Sequence, residues 1–300
     1  MREFVELTVN GLLIAGLYAT VSMGLALIYG VMKIINLAHA GFLMLGAFAT
    51  FSLFGATGLD PLLCSAAAAP LFFVAGMLLY HFVVRPLPQG GNAPTVQSLL
   101  LLFGVWLVLQ NLAYAIWGGE TRSIMTSYTL SSTELFGLRL SVPNLLVFGA
   151  GAAALSALQV LLSQTRLGMS IRAVTQNRDA ALLCGINATS VARIVFGLGT
   201  ALAAFAGGLL SVLYPFTPDS GRGFLLKAFC IVVLGGMESL GGVVAGALVL
   251  ALLEQYAVWL GVPTTFQEAV SFGVLVLVLI IMPQGLPGAL DAVRKRLAHP

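Results

Sequence analysis

Side chains able to do chemistry are few in this 300-residue chain, and their spacing argues against catalysis. The lysines are Lys33, Lys227 and Lys295; none is followed by Ser or Thr, so there is no GxxxxGK[ST] phosphate loop. No HExxH helix occurs, and Cys64, Cys184 and Cys230 are scattered without metal-ligand spacing. Cys64 and Cys230 read as small buried hydrophobes. The chain is therefore expected to be no enzyme, to hold no cofactor or metal and to hydrolyse no ATP. A net charge of +3 suggests no nucleic-acid partner.

What remains is polar groups in oily surroundings. Asn36-Leu37-Ala38-His39-Ala40-Gly41 stands at the start of an apolar run, and Gln110-Asn111 lies past the middle of another. Unsatisfied polar groups cost several kcal/mol in hydrocarbon, so these amides need partners or water. Glu238 sits between paired glycines, Gly235-Gly236 and Gly241-Gly242, where a tight turn is easy and a charge cannot face lipid. Asn36, His39, Gln110, Asn111 and Glu238 are the candidate lining of a translocation pathway. Interhelical hydrogen bonding explains the amides equally well, a solvated turn explains Glu238, and a helix-start hydrogen bond explains His39.

The elements that must carry these groups are membrane helices. Hydrophobic residues make up 59% of the chain and charged residues 8%, with mean hydropathy +1.01; soluble chains average about 25% charged residues. Apolar runs such as Leu99–Ile116 are continuous rather than alternating, which favours helices over a transmembrane β-barrel. A span needs about 20 apolar residues. Charges and Pro/Gly punctuation place spans at Leu7–Tyr29, Ile35–Phe54, Pro61–Val84, Thr95–Trp117, Ser141–Leu162, Ala192–Tyr214, Leu240–Leu260 and Gln267–Met282. A short or re-entrant helix falls at Phe224–Leu234. The expected fold is an all-α polytopic bundle in one transmembrane domain over 1–300, with eight full spans and this shorter piece. The first apolar stretch has no basic flank and is too long for a signal peptide, so it reads as an uncleaved helix.

One long hydrophilic interruption, Gln164–Arg193, carries Arg166, Arg172, Arg178 and Arg193 against Asp179. Its positive excess places it in the cytoplasm. Alternation then puts Lys33, Arg85, Arg294, Lys295 and Arg296 on the same side, and Arg2, Arg122, Arg139, Arg222 and Lys227 outside. The N-terminus is expected outside and the C-terminus inside. Within the interruption Gly168–Leu183 suits a short amphipathic helix, with Arg172, Gln176 and Asp179 on a polar face and Met169, Ala173, Ala180 and Leu183 turned elsewhere. Gly185 ends it and Asn187 bonds backbone groups before the next span. Such a helix fits a groove on a cytoplasmic partner, or lies on lipid headgroups. Separately, Gly41–Phe48 echoes Gly223–Phe229 with one gap. That echo reads as an inverted repeat or as chance similarity in a Gly/Leu/Phe-rich chain.

Several ordered pieces, GLYATVSMGLALIYGVMKIINLAHAGFLMLGAF, LVLQN, TRLGMSIRAVTQNRDAALLCGIN, AFAGGLL, AFCIVVLGGMESLGGVVAG and MPQGLPG, carry a resemblance covering about Gly11 to Gly288. The chain resembles the permease subunit of bacterial branched-chain amino-acid ABC importers. The resemblance implies a multi-pass protein of the inner membrane, working with ATP-binding cassette ATPase subunits, a second related permease and a periplasmic substrate-binding protein. It implies that Arg166, Gly168, Arg172, Ala173, Asn177, Asp179, Gly185 and Asn187 belong to the coupling loop that docks on the ATPase. This chain departs from the family pattern at Leu37, at Ala40-Gly41, and at Glu238, where Gly is common. The family also serves urea, short amides and aromatic acids, so the cargo stays open, and an ATP-independent carrier is the reading from another class.

Overall fold

A computed structural model describes residues 2–87, 93–135, 137–237, 239–281 and 285. The helices are α1 (Arg2–Met32), α2 (His39–Thr57), α3 (Pro61–Leu79, continued by a π-helical turn Tyr80–Val84), α4 (Ala93–Trp117) and α5 (Val142–Gln164). After α5 come α6 (Arg166–Gln176), α7 (Arg178–Leu183), α8 (Ala188–Leu213), α9 (Gly221–Gly235), α10 (Leu240–Trp259) and α11 (Gln267–Ile281). Seven of these, α1 to α5, α8 and α10, are long and apolar enough to span a bilayer. The expected last span, Gln267–Met282, is a 15-residue helix within the described chain. Helix α9, the expected short piece, has 15 residues, about 22 Å and short of a hydrocarbon core. The helical membrane fold is as expected.

Local chemistry sets the ends. Asp60 caps α3, accepting from Leu62 N at 2.8 Å, and Pro61 occupies the first turn, where its missing N–H costs nothing. Tyr128 donates to the other Asp60 oxygen at 2.8 Å; burial and that carboxylate push its phenol up to about 12, so it stays a neutral donor. Gly58, at φ 68°, closes α2. Outside the helices a hairpin, β1 (Ser132–Leu135) with β2 (Leu138–Ser141), joins α4 to α5 and was not foreseen in the sequence. Its Arg139 N–H donates to Glu6 at the start of α1.

The bundle is organised around α1 and α8, whose most apolar windows are 89% and 72% buried against 11% for α4. Small residues allow the closest approaches. A Cβ on Gly207 of α8 would overlap the Leu43 carbonyl of α2, and one on Gly46 of α2 would overlap the Ala204 carbonyl of α8.

Two sets of four helices follow one plan. Helix α3 packs on α8 as α10 packs on α1; α2 packs on α3 and α8 as α9 packs on α10 and α1; α4 packs on α2 as α11 packs on α9. The end of α1 (Val31, Met32), the end of α3 (Tyr80, Val84) and the start of α8 (Ala188, Ala192) share a cavity with Val174 and Arg178 of the basic helices. The start of α1 lies at the far end, where Thr8 bonds Tyr256. Hence α1 runs toward the basic end and α8 away from it, and the Gly41–Phe48 echo falls on equivalent helices of opposite direction.

Candidate functional site

At the basic end the expected single helix is two. Thr165 caps α6, accepting from Gly168 N at 3.0 Å. Asn177 then takes an extended conformation and its side chain caps α7 through Ala180 N at 2.9 Å. Gly185, at φ 78°, ends the pair, and Asn187 caps α8 through Ser190 N at 3.0 Å. A good capping side chain in mid-run breaks a helix that periodicity alone would continue. The buried residues are Gly168, Ile171, Val174 and Ala181, whereas Met169, Leu182 and Leu183 are exposed, Leu183 at 91%. This corrects the expected faces: the inner face is set by the ends of α1 and α5, which local periodicity does not see. Ala173 is half-buried; Arg166, Asn177 and Asp179 are exposed.

Arg172 is exposed, yet its guanidinium reaches back to donate to the Leu162 carbonyl in the last turn of α5. A cation there satisfies an orphan carbonyl and the negative end of the helix dipole. Beside it, a Cβ on Gly168 would overlap the Leu161 and Leu162 carbonyls. Gly168→Ala is therefore expected to push α6 off α5 and to cost roughly 1–3 kcal/mol, read as a lower melting temperature in detergent. An unchanged melting curve would show that the contact is loose. A cavity of about 540 Å³ joins Arg172 and Gln176 to the end of α1 (Leu27, Gly30) and the start of α10 (Leu240, Gly241). Helix α6 thus packs under α5, α8 and α1 at once.

The second locus is inside the bundle. After α1 the non-helical Lys33–Ala38 turns back inward, entered by Lys33 at φ 55°. His39, fully buried, bonds its Nε2 to the Val21 carbonyl at 2.8 Å, about 16 Å along α1 from Met32. Helix α2 thus begins deep in the protein. So does α9: a Cβ on Gly221 would come 2.6 Å from the Ala40 carbonyl, so the two helix starts touch. Asn36 is buried beside them with neither side-chain polar atom bonded among the described residues.

Next to these breaks runs an open groove of about 840 Å³. Leu25, Ile35 and Leu37 line it from α1 and the re-entrant segment, Leu99 and Trp106 from α4, and Phe272 from α11. The approach to α9 and its first turns add Asp219, Arg222, Leu226 and Phe229, and α11 adds Glu268. Gln110 and Tyr114 of α4 both donate to the Asp219 carboxylate. Of the expected pathway residues, Gln110 is therefore tied to the groove, and Asn36 and His39 lie behind its wall. Asn111 bonds the Leu107 carbonyl of its own helix at 2.8 Å. Glu238 lies outside the described residues.

A third feature corrects the expectation that Lys227 stands on the outer side. Lys227 of α9 and Glu254 of α10 are 8% and 3% exposed and pair at 2.9 Å. Tyr18 of α1 accepts from Lys227 at 2.7 Å and donates to Glu254 at 2.6 Å, while Ser271 of α11 donates to the other carboxylate oxygen. Four helices meet at one hydrogen-bonded ion pair, the arrangement that makes buried charge tolerable. Among the described residues no group of His, Cys, Asp and Glu could hold a metal ion.

A family described as branched-chain amino acid transport system / permease component matches residues 7–279. The high-affinity branched-chain amino acid transport system permease protein BraD of Pseudomonas aeruginosa is 31% identical, over 95% of this chain and 96% of its own length. LivH, the corresponding permease protein of Escherichia coli, is 28% identical over 95% and 96%. The ribose import permease protein RbsC of Escherichia coli is 32% identical over 74% of this chain and 69% of its own. By match length and by identity, the chain belongs to the branched-chain amino acid transport system permease family.

Proposed function

We propose that this chain is the membrane permease of an ATP-driven importer that moves branched-chain or other hydrophobic amino acids across the bacterial inner membrane. Its partners are ATP-binding cassette subunits, a second permease chain and a periplasmic binding protein. The observation that carries the reading is the basic end: α6 and α7 offer exposed Met169, Leu182 and Leu183 among arginines, outside the apolar bundle. Apolar side chains ringed by charge mark a protein contact. The basic end is then cytoplasmic and the start of α1 periplasmic.

In this reading the ATPases push on α6 and α7 as they close. Because α6 is fixed to the last turn of α5 and packs on α1 and α8, the push tilts those spans and switches the groove between the two sides. Leu183→Asp is expected to lower ATPase co-purification by about tenfold, a loss of about 1.4 kcal/mol, with an unchanged melting temperature. Full ATPase retention in that variant would remove α7 from the interface. Arg172 is a poorer probe, since reversing its charge also uncaps α5.

A second reading draws on the Lys227–Glu254 pair, because ionisable residues within spans are what ion-coupled carriers use. Liposomes holding the permease chains separate the two: uptake with no ATPase present supports the carrier, and strict dependence on ATPase and ATP supports the importer.

A further inference from the structure

We propose that the groove between α1, α4, α9 and α11 holds the transported amino acid by both its charges, with Arg222 taking the carboxylate and Glu268 the ammonium. This rests on the importer reading and names the residues that recognise the solute. The groove combines side chains of both charge signs with walls of Leu25, Trp106, Phe229 and Phe272. That pairing of chemistries suits a zwitterion carrying an apolar side chain better than it suits a sugar or a simple ion. Asp219 is already bound by Gln110 and Tyr114. The Arg222 guanidinium and the Glu268 carboxylate make no hydrogen bond among the described residues, and both are exposed to the groove. Gly223 lies directly beneath the Glu268 carboxylate, where any Cβ would overlap it, so the bare backbone lets that oxygen enter the groove. Such charges are costly against lipid, so this face belongs to a watered path. Gln110 is then a positioning residue for Asp219, which balances the charge of Arg222.

The test is ATP-dependent uptake of radiolabelled leucine by the full complex in proteoliposomes, with ATP hydrolysis and subunit composition measured in parallel. Arg222→Met and Glu268→Gln should each lower uptake about tenfold or more, while composition and hydrolysis hold within about twofold. On a Cys184→Ser background, Arg222→Cys should regain uptake when its thiol receives a cationic methanethiosulfonate and stay inactive with an anionic one. Unimpaired uptake in Arg222→Met or Glu268→Gln overturns the proposal, as does equal recovery with both reagents. Loss of the second permease from either variant also overturns it, by assigning the groove to the subunit interface. An unaltered complex that hydrolyses ATP yet takes up no leucine refutes the proposed cargo instead.

Discussion

Glu254→Ala is expected to lower stability by about 3–5 kcal/mol, the cost of stranding one member of a buried ion pair. The Lys227 ammonium would remain among the Tyr18 and Phe224 rings, 4.9 and 5.8 Å from their centroids, with only the Tyr18 hydroxyl left to bond. Ser271 would fall back on the Gln267 carbonyl of its own helix, 3.0 Å away. Removing both charges has a different outcome. Lys227→Met combined with Glu254→Leu leaves no uncompensated charge and should regain most of the lost stability, since well-packed apolar replacements of buried pairs are often neutral. Thermal unfolding in detergent gives the comparison. A Glu254→Ala protein that melts like the unaltered chain would mean that water reaches the pair. A stable double variant that no longer transports would separate a role in the cycle from a role in holding the bundle.

Gly207→Ala carries the second large effect. The added methyl would collide with the Leu43 carbonyl, and α2 and α8 approach as closely again at Gly46 and Ala204, so the crossing has no slack. Backbone cannot rotate aside as a side chain can, so the cost should reach the upper end of the roughly 1–3 kcal/mol for overpacking. Gly55→Ala in α2 and Gly149→Ala in α5 are the controls, because nothing lies within 4 Å of the new methyl. They should be neutral or stabilising by up to about 1 kcal/mol. The measurement is the yield of monodisperse protein after mild heating. Equal yields for Gly207→Ala and Gly55→Ala would contradict the close crossing.

What could be read from the sequence was whatever local composition dictates. The start of α3 at Pro61 was legible because Asp60-Pro61 is both cap and first turn. The start of α8 was placed at Ala192 although it begins at Ala188, since a polar first turn capped by Asn187 looks like loop. Gln110 was recognisable as an amide in an apolar run, but its partner Asp219 lies 109 positions away in sequence. The Lys227–Glu254 pair was missed for a related reason. Both residues lie within expected helices, but their pairing, 27 positions apart in sequence and completed by Tyr18 of α1, comes from how the helices pack and not from local composition. Arg222 was placed on the outer side by alternation alone, with no signal that it lines a groove.

The two deep-starting helices are fastened by different physics. Helix α2 is held to α8 by close backbone contact at Gly46 and Gly207, an attraction that changes little when water arrives. Helix α9 is held to α1, α10 and α11 through Lys227, where the echo of the first half has the apolar Leu45. A charge pair weakens as its surroundings become polar, from an upper bound of about 20 kcal/mol at 4 Å in a dry interior toward about 1 kcal/mol in water. Buried as the pair is, α9 is held by an interaction that would weaken if water reached it, whereas the backbone contact that holds α2 would not.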